Sequence, residues 1–174
     1  MRLKRWNAVI ALLAAVLLAV HNTINARMMP LGRVTESPAF PARALAALVV
    51  IHALVSLYLL IFRHEKGGRI YPKITAGFIL QRVTGIAMIL PVMFHAAVRA
   101  GSFGVGLIPV LWVHFAVMVL SYLHIPLSVP NALVTLGVLS TARAHRTARL
   151  VCAGLCAVLF ALGLWASLSE VTAL

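Results

Sequence analysis

Five stretches of roughly 20 apolar residues, the length a helix needs to cross a hydrocarbon layer about 30 Å thick, leave this chain few folds to choose from. They fall at about 6–26, 42–62, 77–98, 105–136 and 148–168. Within lipid every backbone N–H and C=O must be satisfied inside its own segment or a closed barrel. Stretches this long and apolar therefore predict an all-α integral membrane bundle of five transmembrane helices. A 63% hydrophobic, 10% charged composition excludes an ordinary soluble domain. The connections are too short for a soluble catalytic domain, so residues 1–174 read as a single membrane domain. The first stretch is too long for a cleaved signal peptide and shows no small-x-small cleavage site.

The fourth stretch is ambiguous, because apolar character continues from Phe103 to Leu139 through Pro126 and Pro130. Cutting it into two short spans would put Arg143, Arg146 and Arg149 on the opposite side from the other basic clusters. Charge thus favours one long, kinked helix. A net charge of +12 would suggest nucleic acid in a soluble protein; here it reports topology, and no nucleic-acid partner is expected. With the N-terminus cytoplasmic, eleven Lys and Arg face inward and only Arg27, Arg33, Arg43 and Arg99 face outward. The C-terminus then lies outside.

Cys152 and Cys156 lie four apart in one apolar stretch, form no Cys-x-x-Cys site, and read as small packing residues. The histidines carry more information. His21, His52, His95, His114 and His124 fall inside spans, where an ionisable side chain is costly and by default marks function. A single one could merely bond a neighbouring helix. Four helices each bringing an imidazole point to haem, since neutral imidazole is a common axial ligand and two facing helices supply one each. Four such ligands would hold two haems.

Depth sorts them. His21 and His95 both lie about 20 Å from the inner boundary at 1.5 Å per residue, and His52 about 16 Å from it. The partner of His52 belongs on the fourth span, where His124 and His114 are both available. Gln81 precedes His95 by 14 residues, which returns to nearly the same helix face, with Gly85, Met88 and Val92 between them. Asn7 precedes His21 by the same interval. A polar group at the membrane edge, a small residue and then an imidazole would leave room for a porphyrin; ordinary small-residue helix packing explains the small residues equally well.

In RWNAVIALLAAVLLAVH, VVIHALVSLYLLIFR, LQRVTGIAMILPVMFH and FAVMVLSYLH, the chain resembles the membrane-anchor cytochrome b subunit of the dihaem succinate:quinone and menaquinol:fumarate oxidoreductases. The resemblance covers the first four spans in order, and Gln-x-x-Thr-Gly followed by His is its most specific element. It implies two haem b groups, one ligated by His21 and His95 and the other by His52 and His124, with His114 as the alternative to His124. Gln81, Asn7, Arg82 and Lys73 would form the propionate environment. It further implies a bacterial cytoplasmic membrane, an iron–sulfur subunit docked on the cytoplasmic face, a flavoprotein subunit beyond it, a membrane quinone, menaquinone in preference, and room for a dimer of the complex. The basic inner loops suit an acidic partner, although topology alone also explains them.

Quinone chemistry needs a proton partner, and Glu36, the one acidic residue between the first two spans, is the candidate catalytic group by resemblance. A plain loop ion pair with Arg33 or Arg43 is the alternative. Some members of the family carry a glutamate two residues before the fourth-span ligand for transmembrane proton transfer. Here that position is Tyr122, which puts such a route in doubt. Two other readings compete: the cytochrome b subunit of another respiratory oxidoreductase, and a small His-containing membrane transporter.

Overall fold

The computed structural model describes residues 2–28, 39–62, 76–99 and 107–172. These form α1 (Arg2–Met28), α2 (Ala39–Phe62), α3 (Ala76–Ala87), α4 (Ile89–Arg99), α5 (Leu107–Leu136) and α6 (Ala142–Thr172). Since α3 and α4 are halves of one span, the described residues make five helices long and apolar enough to cross a membrane. The chain is an all-α, multi-pass membrane protein.

Prolines act differently in two spans. Pro91 has no N–H, and its ring crowds the carbonyl four residues back, that of Ala87. The span breaks there: α3 ends at Ala87 and α4 starts at Ile89. Bonds from Met88 N to Thr84 O (3.1 Å) and from Val92 N to Met88 O (3.0 Å) hold the halves together. By contrast, α5 runs unbroken through Pro126 and Pro130, the latter wholly buried. Side chains bond the backbone around them: Ser128 Oγ donates to Ile125 O (3.3 Å) and Asn131 Nδ2 to Leu127 O (2.8 Å).

A defined stop ends α5. Gly137, at φ +82°, takes the left-handed position, Val138 N bonds Leu133 O (2.9 Å), and Gly137 N bonds Val134 O (3.0 Å). This is the glycine-terminated C-cap in which only a residue without Cβ avoids strain. Thr141 Oγ1 then accepts from Ala144 N (3.1 Å), capping α6. The chain therefore reverses in five residues.

Helix α5 is the hub, packed by α1, α3, α4 and α6, whereas α2 lies against α1. Contacts between α3–α4 and α5 descend in antiparallel register: Gln81 with Asn131, Thr84 with His124, Met88 with Ser121, His95 with His114. Buried positions are mostly small, including Ala8, Ala14, Ala132, Ser121 and Ala166, as expected where lipid supplies no hydrophobic drive between helices and close backbone approach must. Large apolar side chains such as Leu54, Leu90, Trp112 and Leu150 face outward. In water that surface would aggregate; in hydrocarbon it matches its solvent.

Candidate functional site

The polar side chains collect into two imidazole clusters. The first lies toward the end of the bundle that carries Arg2, Lys4 and Arg5 on α1 and Arg143, Arg146 and Arg149 on α6, called here the basic end. His52 of α2 places Nδ1 at 3.0 Å from Asn7 Oδ1 of α1. Asn7 is oriented by its other end, because Nδ2 donates to Ser56 Oγ at 3.0 Å. Its oxygen must therefore accept, so a neutral His52 carries its proton on Nδ1 and leaves the Nε2 lone pair bare.

His124 of α5 repeats this logic with a different partner. Thr84 Oγ1 donates to Leu80 O (2.7 Å) and stands 3.1 Å from His124 Nδ1. A hydroxyl that has given its proton to the backbone can only accept from the ring, so His124 too bares Nε2. Gly85 makes the space: a Cβ there would meet His124 Cε1 at 3.0 Å.

A second strand of hydrogen bonds runs from this cluster toward the basic end. Gln81 Oε1 accepts from Asn131 Nδ2 (2.8 Å), and Asn131 Oδ1 stands 3.0 Å from His145 Nε2 on α6. Gln81 is thus drawn toward α5 and α6. Arg82, its neighbour, turns to the exposed side, its guanidinium 4.4 Å from the Phe78 ring centroid. Lys73 and Glu36 lie outside the described residues.

The second cluster lies toward the opposite end. His95 of α4 and His114 of α5 have ring centroids 5.6 Å apart, tilted by 39°. His114 is ten residues from His124, about 15 Å along the helix axis. His21 of α1 has Asn25 Nδ2 3.0 Å from its Nε2. Next to it, Asn22 is buried and donates to Leu159 O of α6 (2.9 Å). His52 and His124 thus both lie toward the basic end, while His95 meets His114 and His21 has Asn25 of its own helix beside it.

The face of the third span bearing Gln81, Gly85, Met88 and His95 lies directly on α5, with Ser121 Oγ donating to Met88 Sδ (3.3 Å). The space beside Gly85 therefore receives the His124 imidazole. Tyr122 points to α6, packed edge-on to Phe160 at 6.1 Å. Cys156 is buried on α6 and Cys152 lies one turn before it, both free.

Sequence reasoning passed over Thr84, Ser56, Asn131 and His145. Thr84 was visible inside the Gln-x-x-Thr-Gly stretch, yet nothing in the pattern says that its hydroxyl would meet an imidazole from a distant span. Among the described residues no group of three or more His, Cys, Asp or Glu converges to hold a bare metal ion. Two imidazoles are all that an axially ligated haem iron asks of the protein. The donor chemistry of His52 and His124 fits that demand, since metal-ligating His normally donates its other ring N–H to a fixed acceptor. No known protein family, curated protein or solved structure matches the chain.

Proposed function

We propose that this protein is a haem b-carrying membrane anchor that passes electrons between an iron–sulfur subunit and a membrane quinone, within a succinate dehydrogenase or fumarate reductase complex. The observation that carries the reading is the matched pair at the basic end: His52 and His124, from different helices, each with Nδ1 tied to an acceptor, which leaves Nε2 as the unprotonated nitrogen. His52 and His124 would be the axial ligands, held by Asn7 and Thr84, with Gly85 providing clearance. The Gln81 Nε2 group, the donor left over when Asn131 and His145 are spent on their own bonds, would serve carboxylate side arms at the basic end, and Lys73 and Arg82 belong to the same proposal as charged neighbours. A bound haem supplies one-electron redox chemistry there, while the protein supplies ligation, burial and orientation.

A second haem belongs to the opposite cluster. His95 is one ligand in this reading, and either His21 or His114 is the other. Glu36 is the proposed proton partner of the quinone, and the flavoprotein and iron–sulfur subunits, a bacterial cytoplasmic membrane and a dimer of the complex remain parts of the same proposal. The test is spectroscopic. Purified full-length protein expressed with haem available should show reduced b-type absorption bands with two haems per chain. H52A and H124A should each lose the same single haem, and H95A the other. Colourless protein, or H124A with full haem content, would overturn the assignment.

A transporter is the second reading, favoured by the hydrogen-bonded chain His145–Asn131–Gln81, which extends the His124 cluster toward the bundle end. Haem-free protein that conducts protons in liposomes, and loses this in H145Q, would select it.

A further inference from the structure

We propose that an anionic phospholipid of the leaflet at the basic end binds in a groove on the outer wall of α3, α5 and α6. This inference is independent of haem. The groove encloses about 460 Å³ and is walled by Leu80 of α3, by Leu123 and Leu127 of α5, and by Ala153 and Phe160 of α6, with Arg149 lining it as well. Leu80 and Leu123 are exposed, as are the alanines at 153 and 157, so its open side faces the hydrocarbon.

Its length suits one acyl chain. From Arg149 to Phe160 is eleven residues, about 16 Å of helix, against roughly 15 Å for the hydrocarbon of a single leaflet. Small residues on α6 keep the floor open: Ala153, Cys156 and Ala157 leave space where larger side chains would fill it.

Charge identifies the headgroup. Arg149 stands at the start of the apolar part of α6, with Arg143 and Arg146 in the turns before it. Its guanidinium lies over α3, where a Cβ on Gly77 would meet it at 3.4 Å. The described side chains include no carboxylate. A guanidinium at this depth is matched by a phosphate, which it can grip with two parallel N–H donors, and basic pockets between spans are recognised sites for anionic headgroups. The acyl chain then runs along the groove past Leu123 and Ala153 to Phe160.

The experiment is native mass spectrometry of the full-length protein in detergent, with dioleoyl phosphatidylglycerol and dioleoyl phosphatidylcholine titrated in competition. Phosphatidylglycerol should be retained roughly fivefold better, the contribution of one basic side chain near an anionic surface. R149Q should abolish that preference and R149K, which keeps the charge but not the paired donors, should lower it, whereas R43Q, which removes a charge elsewhere, should preserve it. A153F leaves Arg149 intact and blocks the seat of the chain, so it should lower retention of both lipids. Equal retention by the unmodified protein, an unchanged preference in R149Q, or unchanged retention in A153F would each overturn the proposal. So would displacement of the lipid by an added menaquinone, which would assign the groove to quinone.

Discussion

Two asparagines on α1, fifteen residues apart in the sequence, show how differently the two ends of this bundle use polar groups. Asn7, toward the basic end, bonds a side chain on each side, Ser56 and the His52 imidazole. Asn22, toward the other end, bonds the main-chain carbonyl of Leu159 and lies beside Gly163, where a Cβ would meet its Oδ1 at 3.2 Å. One asparagine sets the tautomer of an ionisable ring; the other fastens α1 to α6. A polar residue inside a span is therefore not by itself a mark of function. What it bonds decides: at the basic end Ser56, Asn7 and His52 form a chain of side chains across two helices, whereas the Asn25 amide meets the His21 imidazole within one helix.

The contrast breaks most sharply at Gly85. A leucine there would project into the His124 ring, already at 3.0 Å from a mere Cβ, and the imidazole would have to leave its place beside Thr84. G85L is expected to lose the haem proposed at His52 and His124 completely and to keep the one proposed at the opposite end, read as a halving of reduced b-type absorbance per chain. Loss of both haems, with helicity intact by circular dichroism, would mean that the two ends do not function separately.

Next come the acceptors. Removing the outer partner of a ligating imidazole commonly costs about 10–100-fold in affinity. T84V removes the oxygen that receives the His124 Nδ1–H, and N7L removes the one serving His52. Each should weaken haem retention at the basic end by that range in a transfer assay to apomyoglobin, and T84S should restore it. Equal weakening in T84V and T84S would reduce Thr84 to a packing residue.

The sequence was most legible where physics is local. Five spans follow from length and apolarity, because a helix in lipid must satisfy its own backbone. The prolines were half legible: charge placed Pro126 and Pro130 inside one long helix, as found, but Pro91 splits a span, and what separates the cases is packing against neighbours. Those neighbours come from other spans and leave no local trace. The same limit applies to the site. Histidines in spans stand out by cost alone, but depth arithmetic cannot say that the Gly85 face of the third span lies on α5, or that His95 meets His114. Both depend on which helices pack together. Asn131 and His145 were invisible for a related reason, since polar residues at the ends of spans are ordinary until a third element closes on them.

At the opposite end the effects should be structural and smaller. N22L deletes a hydrogen bond between helices, of a kind worth on average about 0.6 kcal/mol in a membrane and at most about 1.7. Unfolding in detergent by added denaturing surfactant should show a loss within that range, with the haem content of the folded fraction unchanged.

G163A should do least, because two effects oppose each other. An alanine in a helix interior is better than glycine by about 0.8–1.0 kcal/mol. Against this, its Cβ would stand 2.8 Å from Met118 Cε and 3.2 Å from Asn22 Oδ1. The methionine contact yields, since that methyl ends a flexible thioether chain. The asparagine yields less, being held by Leu159 O. The net change is expected to stay within about 1 kcal/mol of zero on those terms. Pairing it with M118A removes the closer contact, so G163A measured in that background should move toward stabilisation. If it costs the same in both backgrounds, Asn22 alone resists the added methyl, and the fastening at this end is as exacting as the imidazole seat at the other.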